Sequence, residues 1–245
     1  MTDHGHPSTE GTPEAAPPEA VARETVEDIA RMFDGRAATY DESAFHRALA
    51  AETVRFALAD DAPDAQGTPE VHRVLDIATG TGLVLRALPS TVTRRCGVDV
   101  SAGMLAVARA ELPEAELVQT DASGELPFPA GSFDLITCVT AFHLIAGPPE
   151  ALRSWRGLLA PGGRVVVAVF RTDAADEVPE VAAALARGAE RHAHGAHDHL
   201  HRRTGTPAAL AGIAETAGFR LTRSETWMMP DPFQVCLVAE LVPAD

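Results

Sequence analysis

Between Val71 and Phe170, five short runs rich in valine, isoleucine and leucine alternate with helix-patterned stretches, and this alternation constrains the fold more than any other feature. The runs are HRVLDIA, RCGVDV, AELVQT, FDLITCV and GRVVVAVF, and GLVLRALPS, SAGMLAVARAELP and PEALRSWRGLLAPG lie among them. A strand that is apolar on both faces must be covered on both, and helical crossovers between strands make them parallel. The expected architecture is therefore α/β, a doubly wound and mostly parallel sheet. Ser101 is placed to cap the second helix of the series and Pro113 to stop it. Further on, PAALAGIAETAGF reads as a helix halted at Gly218, followed by RLTRSETWMM and FQVCLVAELV. The short PDP link between those two runs predicts an antiparallel hairpin, bringing the sheet to seven strands with a reversed strand at its C-terminal end.

Ahead of this core, residues 1–20 are dominated by Pro, Glu, Thr and Gly and read as a disordered tail rather than a signal peptide. Residues 21–66 read as a helical lid and connector. Apolar spacing at Val21, Val26, Ile29 and Met32 predicts a helix that fails near Gly35, and a second helix is expected from about Ser43 to Ala59. Residues 67–245 form the main domain, interrupted over about 172–205 by a helical segment rich in Ala, Glu and His.

Charge and composition narrow the function. A formal net charge of -15 repels phosphate backbones and acidic membranes, so no nucleic acid and no membrane are expected as partners. No apolar stretch approaches the roughly 18 residues a bilayer requires. Cys96, Cys138 and Cys236 are far apart and read as reduced core thiols. The expectation is a cytoplasmic protein acting on a small molecule, with a second copy of the chain, as a homodimer, the one candidate protein partner.

The stretch VLDIATGTGLV places Asp76 at a strand tip and follows it with Ala78, Thr79, Gly80 and Gly82. Ligands bind beyond the carboxyl ends of parallel strands, and a glycine turn there lets the backbone approach them. A dinucleotide loop needs a third glycine for close helix–strand packing, and Leu83-Val84-Leu85 supplies none. Asp99 ends the second strand, where a carboxylate accepts both hydroxyls of a ribose, and Asp121 ends the third, within reach of an adenine amine. Carboxylates at three successive strand tips suit a nucleoside with a cationic appendage.

These segments, VLDIATGTG, GVDVSAGML, DASGELPFPAGSFDLI and GLLAPGGRVVV, resemble the core of the class I S-adenosylmethionine-dependent methyltransferases, in the correct order over about a hundred residues. The resemblance implies a Rossmann-like sheet and S-adenosylmethionine as cofactor. It implies Asp76 near the methionine amino group, the backbone of Ala78, Thr79, Gly80 and Gly82 along the methionine portion, and Asp99 on the ribose. Val100 and Met104 would enclose the adenine, Asp121 and Ala122 read its edge, and Thr140 joins the set after the fourth strand. Ala78 stands where the family has its first glycine, which requires a negative φ at that position. FDGRAATYDESAFHR resembles the F-D-x-x-A-x-x-Y-D segment of ubiquinone/menaquinone-type methyltransferases, which folds over the cofactor.

Tyr40 from that segment and His143, just beyond the fourth strand, are the catalytic candidates; each is also readable as a packing residue. His46 reads as a helix-face histidine without catalytic duty, and Trp155 as core. Trp227 and Met228 read as an apolar wall at the pocket mouth. The run RHAHGAHDHLHRR reads as a solvated lid; its spacing suits no single helix face, so no metal site is assigned to His192, His194, His197, His199 and His201. The resulting expectation is a methyltransferase acting on O, N or C of a small molecule. The alternatives are non-methylating use of the cofactor, as in a decarboxylation or cyclisation, and a catalytically silent cofactor-binding subunit.

Overall fold

The computed structural model describes residues 25–59, 70–187, 198–231 and 233–244; the tail expected over 1–20 and His192, His194 and His197 lie outside the described residues. Seven strands share one sheet in the order β3-β2-β1-β4-β5-β7-β6. They are β1 (Arg73–Ile77), β2 (Arg94–Asp99), β3 (Glu116–Gln119), β4 (Phe133–Val139), β5 (Leu159–Phe170), β6 (Phe219–Pro230) and β7 (Phe233–Pro243). The first five pair in parallel, while β7 runs antiparallel to both β5 and β6. The alternation in the sequence thus produces the expected parallel sheet with a reversed hairpin strand.

Helices cover both faces: α1 (Val26–Asp34), α2 (Ala44–Leu58), α3 (Leu83–Ala87), α4 (Ala102–Glu111), α5 (Pro148–Leu158), α6 (Ala174–Glu177), α7 (Pro179–Ala186), α8 (Asp198–Thr204) and α9 (Pro207–Thr216). Their ends follow local chemistry. Thr25 and Asp28 form a reciprocal capping box on α1, Ser43 caps α2 by accepting from His46 N–H, and Ser101 caps α4 by accepting from Met104 N–H. One apolar layer packs Phe133, Phe142, Leu152 and Trp155; the other packs Leu49, Phe56, Val84 and Leu85 on the opposite face. Trp155 is fully buried and donates its indole N–H to Ala122 O at 3.0 Å, so it is core, as its position in the helix suggests.

Two features of the sheet position the site. Strand order reverses between β2 and β4 on either side of β1, leaving a crevice above the carboxyl end of β1. Within it, Asp76 lies opposite Gly97 of β2 and Thr137 of β4. A side chain at Gly97 would come within 2.7 Å of Thr79 Cγ2, so the glycine lets the turn after β1 settle onto β2.

Candidate functional site

Two hollows share a wall above the crevice. The larger, about 850 Å³, is lined by Asp99, Val100, Asp121 and Ala122 from the strand tips, by Met104 of α4 and by Val26, Ile29 and Phe33 from α1. The smaller, about 390 Å³, is lined by Asp76, Thr79, Leu83 and Val84 together with His46, Leu49 and Ala50 of α2. Tyr40, Ala78, Gly80, Val139 and Thr140 face both.

The turn between the hollows is held in left-handed backbone. Gly80 and Gly82 have φ of 57° and 82°, which glycine adopts without penalty. Ala78 has φ of 52°, correcting the expectation of a negative angle there: the chain must reverse directly after Ile77 so that Thr79 N–H can donate to Val98 O at 2.9 Å. Alanine in this region carries a penalty of roughly 1–2 kcal/mol. Thr140 repeats the pattern at the end of β4, with φ of 54° and its N–H donated to Ala168 O at 2.8 Å. Two non-glycine residues in left-handed backbone therefore follow the neighbouring strands β1 and β4 and line both hollows, at a site where strain commonly gathers. Gly82 lines neither hollow; it precedes α3 and packs close to Leu112.

The acidic tips differ in environment. Asp99 accepts Gly80 N–H through Oδ2 and Ser101 N–H through Oδ1, each at 2.8 Å, and so ties the glycine turn to the start of α4. Burial raises its pKa, against the pull of those backbone donors. Asp76 accepts from Thr137 Oγ1 at 2.6 Å, and burial pushes its carboxyl up to about 7, an effect the hydrogen bond from Thr137 only partly opposes. Asp121 is more open and accepts Ser123 N–H at 2.9 Å.

Above the tips lies the segment from α1 to α2, fastened by two carboxylates whose role the sequence pattern did not disclose. Asp34 Oδ1 accepts from Ser101 Oγ at 2.6 Å and Gly103 N–H at 2.8 Å, at the start of α4. Asp41 accepts from the Thr81 hydroxyl just before α3 and from the Arg86 guanidinium in the last turn of that helix. Between these fastenings Tyr40 enters the site. Burial pushes its phenol up to about 12, outweighing the hydrogen bond with Thr140, so it stays protonated at working pH. Its ring lies flat on His46, with centroids 4.3 Å apart and 8° between planes.

The histidines fall otherwise than their sequence positions suggest. His143 sits on the turn Phe142–Leu144 and lines neither hollow; its ring lies 3.9 Å from that of His201. His201, expected in a solvated segment, is 4% exposed and also packs edge-on to Phe170, because α8 folds back against the turn after β4. His46, read as a helix-face histidine without catalytic duty, lines the smaller hollow. Trp227 packs on Phe45 at 6.0 Å and Met228 is at the surface, and neither is among the described residues lining these two hollows. Among the described residues, no group of His, Cys, Asp or Glu has the arrangement of a metal site.

Residues 75–167 match the family model for a methyltransferase domain. With the sheet order, the glycine turn and the strand-end carboxylates, that match makes this part of the chain similar to the class I S-adenosylmethionine-dependent methyltransferases, whose cofactor is S-adenosylmethionine. The chain is 35% identical over 159 residues to the ubiquinone/menaquinone biosynthesis C-methyltransferase UbiE of Pseudomonas savastanoi pv. phaseolicola, an alignment covering 59% of this chain and 58% of that protein. It therefore spans less than two thirds of that relative. In fold it is similar to DhpI, solved with S-adenosylhomocysteine (TM-score 0.59, 20% identity, covering 89% of this chain and 97% of that one). It is also similar to the [4+2]-cyclase SpnF (TM-score 0.60, 16% identity, covering 90% and 97%).

The residues present fit the cofactor. Gly80 leaves the wall between the hollows open, since a Cβ there would meet nothing closer than Met104 Sδ at 4.0 Å. The smaller hollow also contains a buried ring nitrogen, His46 Nδ1, with no hydrogen-bond partner among the described residues.

Proposed function

We propose that the protein transfers a methyl group from S-adenosylmethionine to a small-molecule acceptor. The observation that carries this reading is the pair of hollows meeting at Gly80, Tyr40 and Thr140: one has the size and acidic rim for an adenosine, the other is narrower and suits an amino-acid end. When bound, the cofactor supplies an activated methyl group on a sulfonium. The chain's part is to hold and align, because an in-line displacement gains most from positioning and exclusion of water. Asp99 holds the ribose, Val100 and Met104 enclose the adenine, and Asp121 with Ala122 reads its edge. Asp76 receives the ammonium of the methionine portion. Ile29 and Phe33 close over the adenosine side, and Tyr40, a phenol at neutral pH, borders the point where methyl group and acceptor meet.

Phenolic precursors of quinones are the first acceptors to test, following the name of the curated relative. The test is incubation with methyl-labelled cofactor and a panel of such phenols, reading label in the organic product. Labelled product supports methyl transfer. Cofactor binding without label transfer to any acceptor favours non-methylating chemistry of the kind the SpnF fold also hosts.

A further inference from the structure

We propose that His46 is the anion-binding side chain of the site and pairs with the carboxylate at the amino-acid end of S-adenosylmethionine; this rests on the cofactor reading above. That end of the cofactor is a zwitterion, and each of its charges needs a counterpart once water is displaced. Asp76 is the carboxylate of the smaller hollow and answers the ammonium. Among the described residues lining that hollow there is no lysine or arginine, and His46 is the side chain able to carry positive charge.

Three further observations agree. His46 Nδ1 is buried and makes no hydrogen bond among the described residues, a cost that a bound ligand removes. The ring is pre-oriented, held flat against Tyr40 at 4.3 Å, so little rotamer freedom remains to be lost on binding. His46 also lies in the first turn of α2, a helix of 15 residues whose N-terminal dipole favours an anion at this end. Burial holds the free imidazole below its ordinary range, against a hydrogen bond with the Tyr40 backbone that favours the charged form, and a ligand carboxylate beside the ring favours that form further.

The test is calorimetry on the full chain with two probes, S-adenosylhomocysteine and 5′-methylthioadenosine. The second keeps the nucleoside and the sulfur but lacks the amino-acid end. His46→Leu should weaken S-adenosylhomocysteine roughly ten- to a hundredfold while leaving 5′-methylthioadenosine within about twofold. His46→Gln, which retains an N–H donor, should recover part of the loss. Equal weakening of both probes would show that the ring merely props the segment above the site, and unchanged affinity for both would show that it meets no carboxylate; either result overturns the proposal. A wild-type chain that binds neither probe would instead overturn the cofactor reading itself, and the proposal with it.

Discussion

Asp99→Asn preserves the shape of a side chain while breaking its bonding, which makes it a sharp test of how the site is built. Asp99 is 7% exposed and lies between two donors, Gly80 N–H and Ser101 N–H, each 2.8 Å from a different carboxylate oxygen. Whichever way an asparagine amide is turned, its NH₂ faces one of these N–H groups. One charge-assisted hydrogen bond is lost and the other becomes a neutral one; a bond of the first kind is worth roughly 1.5–3 kcal/mol. Burial already penalises the charged carboxylate and offsets part of this, so the expected loss of stability is about 1–3 kcal/mol. The same amide is a poorer acceptor for ribose hydroxyls, so S-adenosylhomocysteine should bind roughly ten- to a hundredfold more weakly. Urea denaturation of the ligand-free protein measures the first effect and calorimetry the second. An asparagine variant with wild-type stability would refute the claim that Asp99 ties the glycine turn to α4. Unchanged affinity would refute its assignment to the ribose.

Ala78→Gly removes the left-handed penalty at φ of 52° and should raise stability by up to about 1 kcal/mol after the greater freedom of the unfolded chain is allowed for; a clear loss in urea denaturation would show that no strain resides there. Asp76 has a folded pKa of about 7, above its unfolded value of 3.8, so its contribution to ligand-free stability is full below the unfolded value and lost as pH rises toward 7. Asp76→Asn should flatten that part of the stability–pH curve, and identical curves for variant and wild type would contradict the assignment. In the wild type, affinity for S-adenosylhomocysteine should rise over the same interval, since only the ionised carboxyl attracts an ammonium. His143→Gln should change turnover by less than about tenfold, because the ring packs on His201; a loss of about 10²–10⁴-fold with a changed pH profile would identify a general base at that position.

The sequence by itself determined the sheet and the row of acidic tips. Strand–helix alternation depends on local apolar patterning, and a carboxylate that ends a strand stays at its end however the strands are ordered. Asp99, Asp121 and Asp76 therefore reached the site from pattern alone, and the cap at Ser101 was legible in the same way. What only the tertiary structure decided depends on contacts between distant segments. The φ of Ala78 is set by the bond from Thr79 to Val98, a strand away. Asp34 and Asp41 became fastenings because α1 and the turn after it lie across the start of α4 and alongside α3. The histidines show the division most clearly. His143 follows the fourth strand and His46 sits on an ordinary helix, yet the packing of α8 turns the first toward His201, and the docking of α2 turns the second into the smaller hollow. Local spacing specifies which face of its own element a side chain occupies; what that face meets is settled by burial of apolar surface across the whole fold.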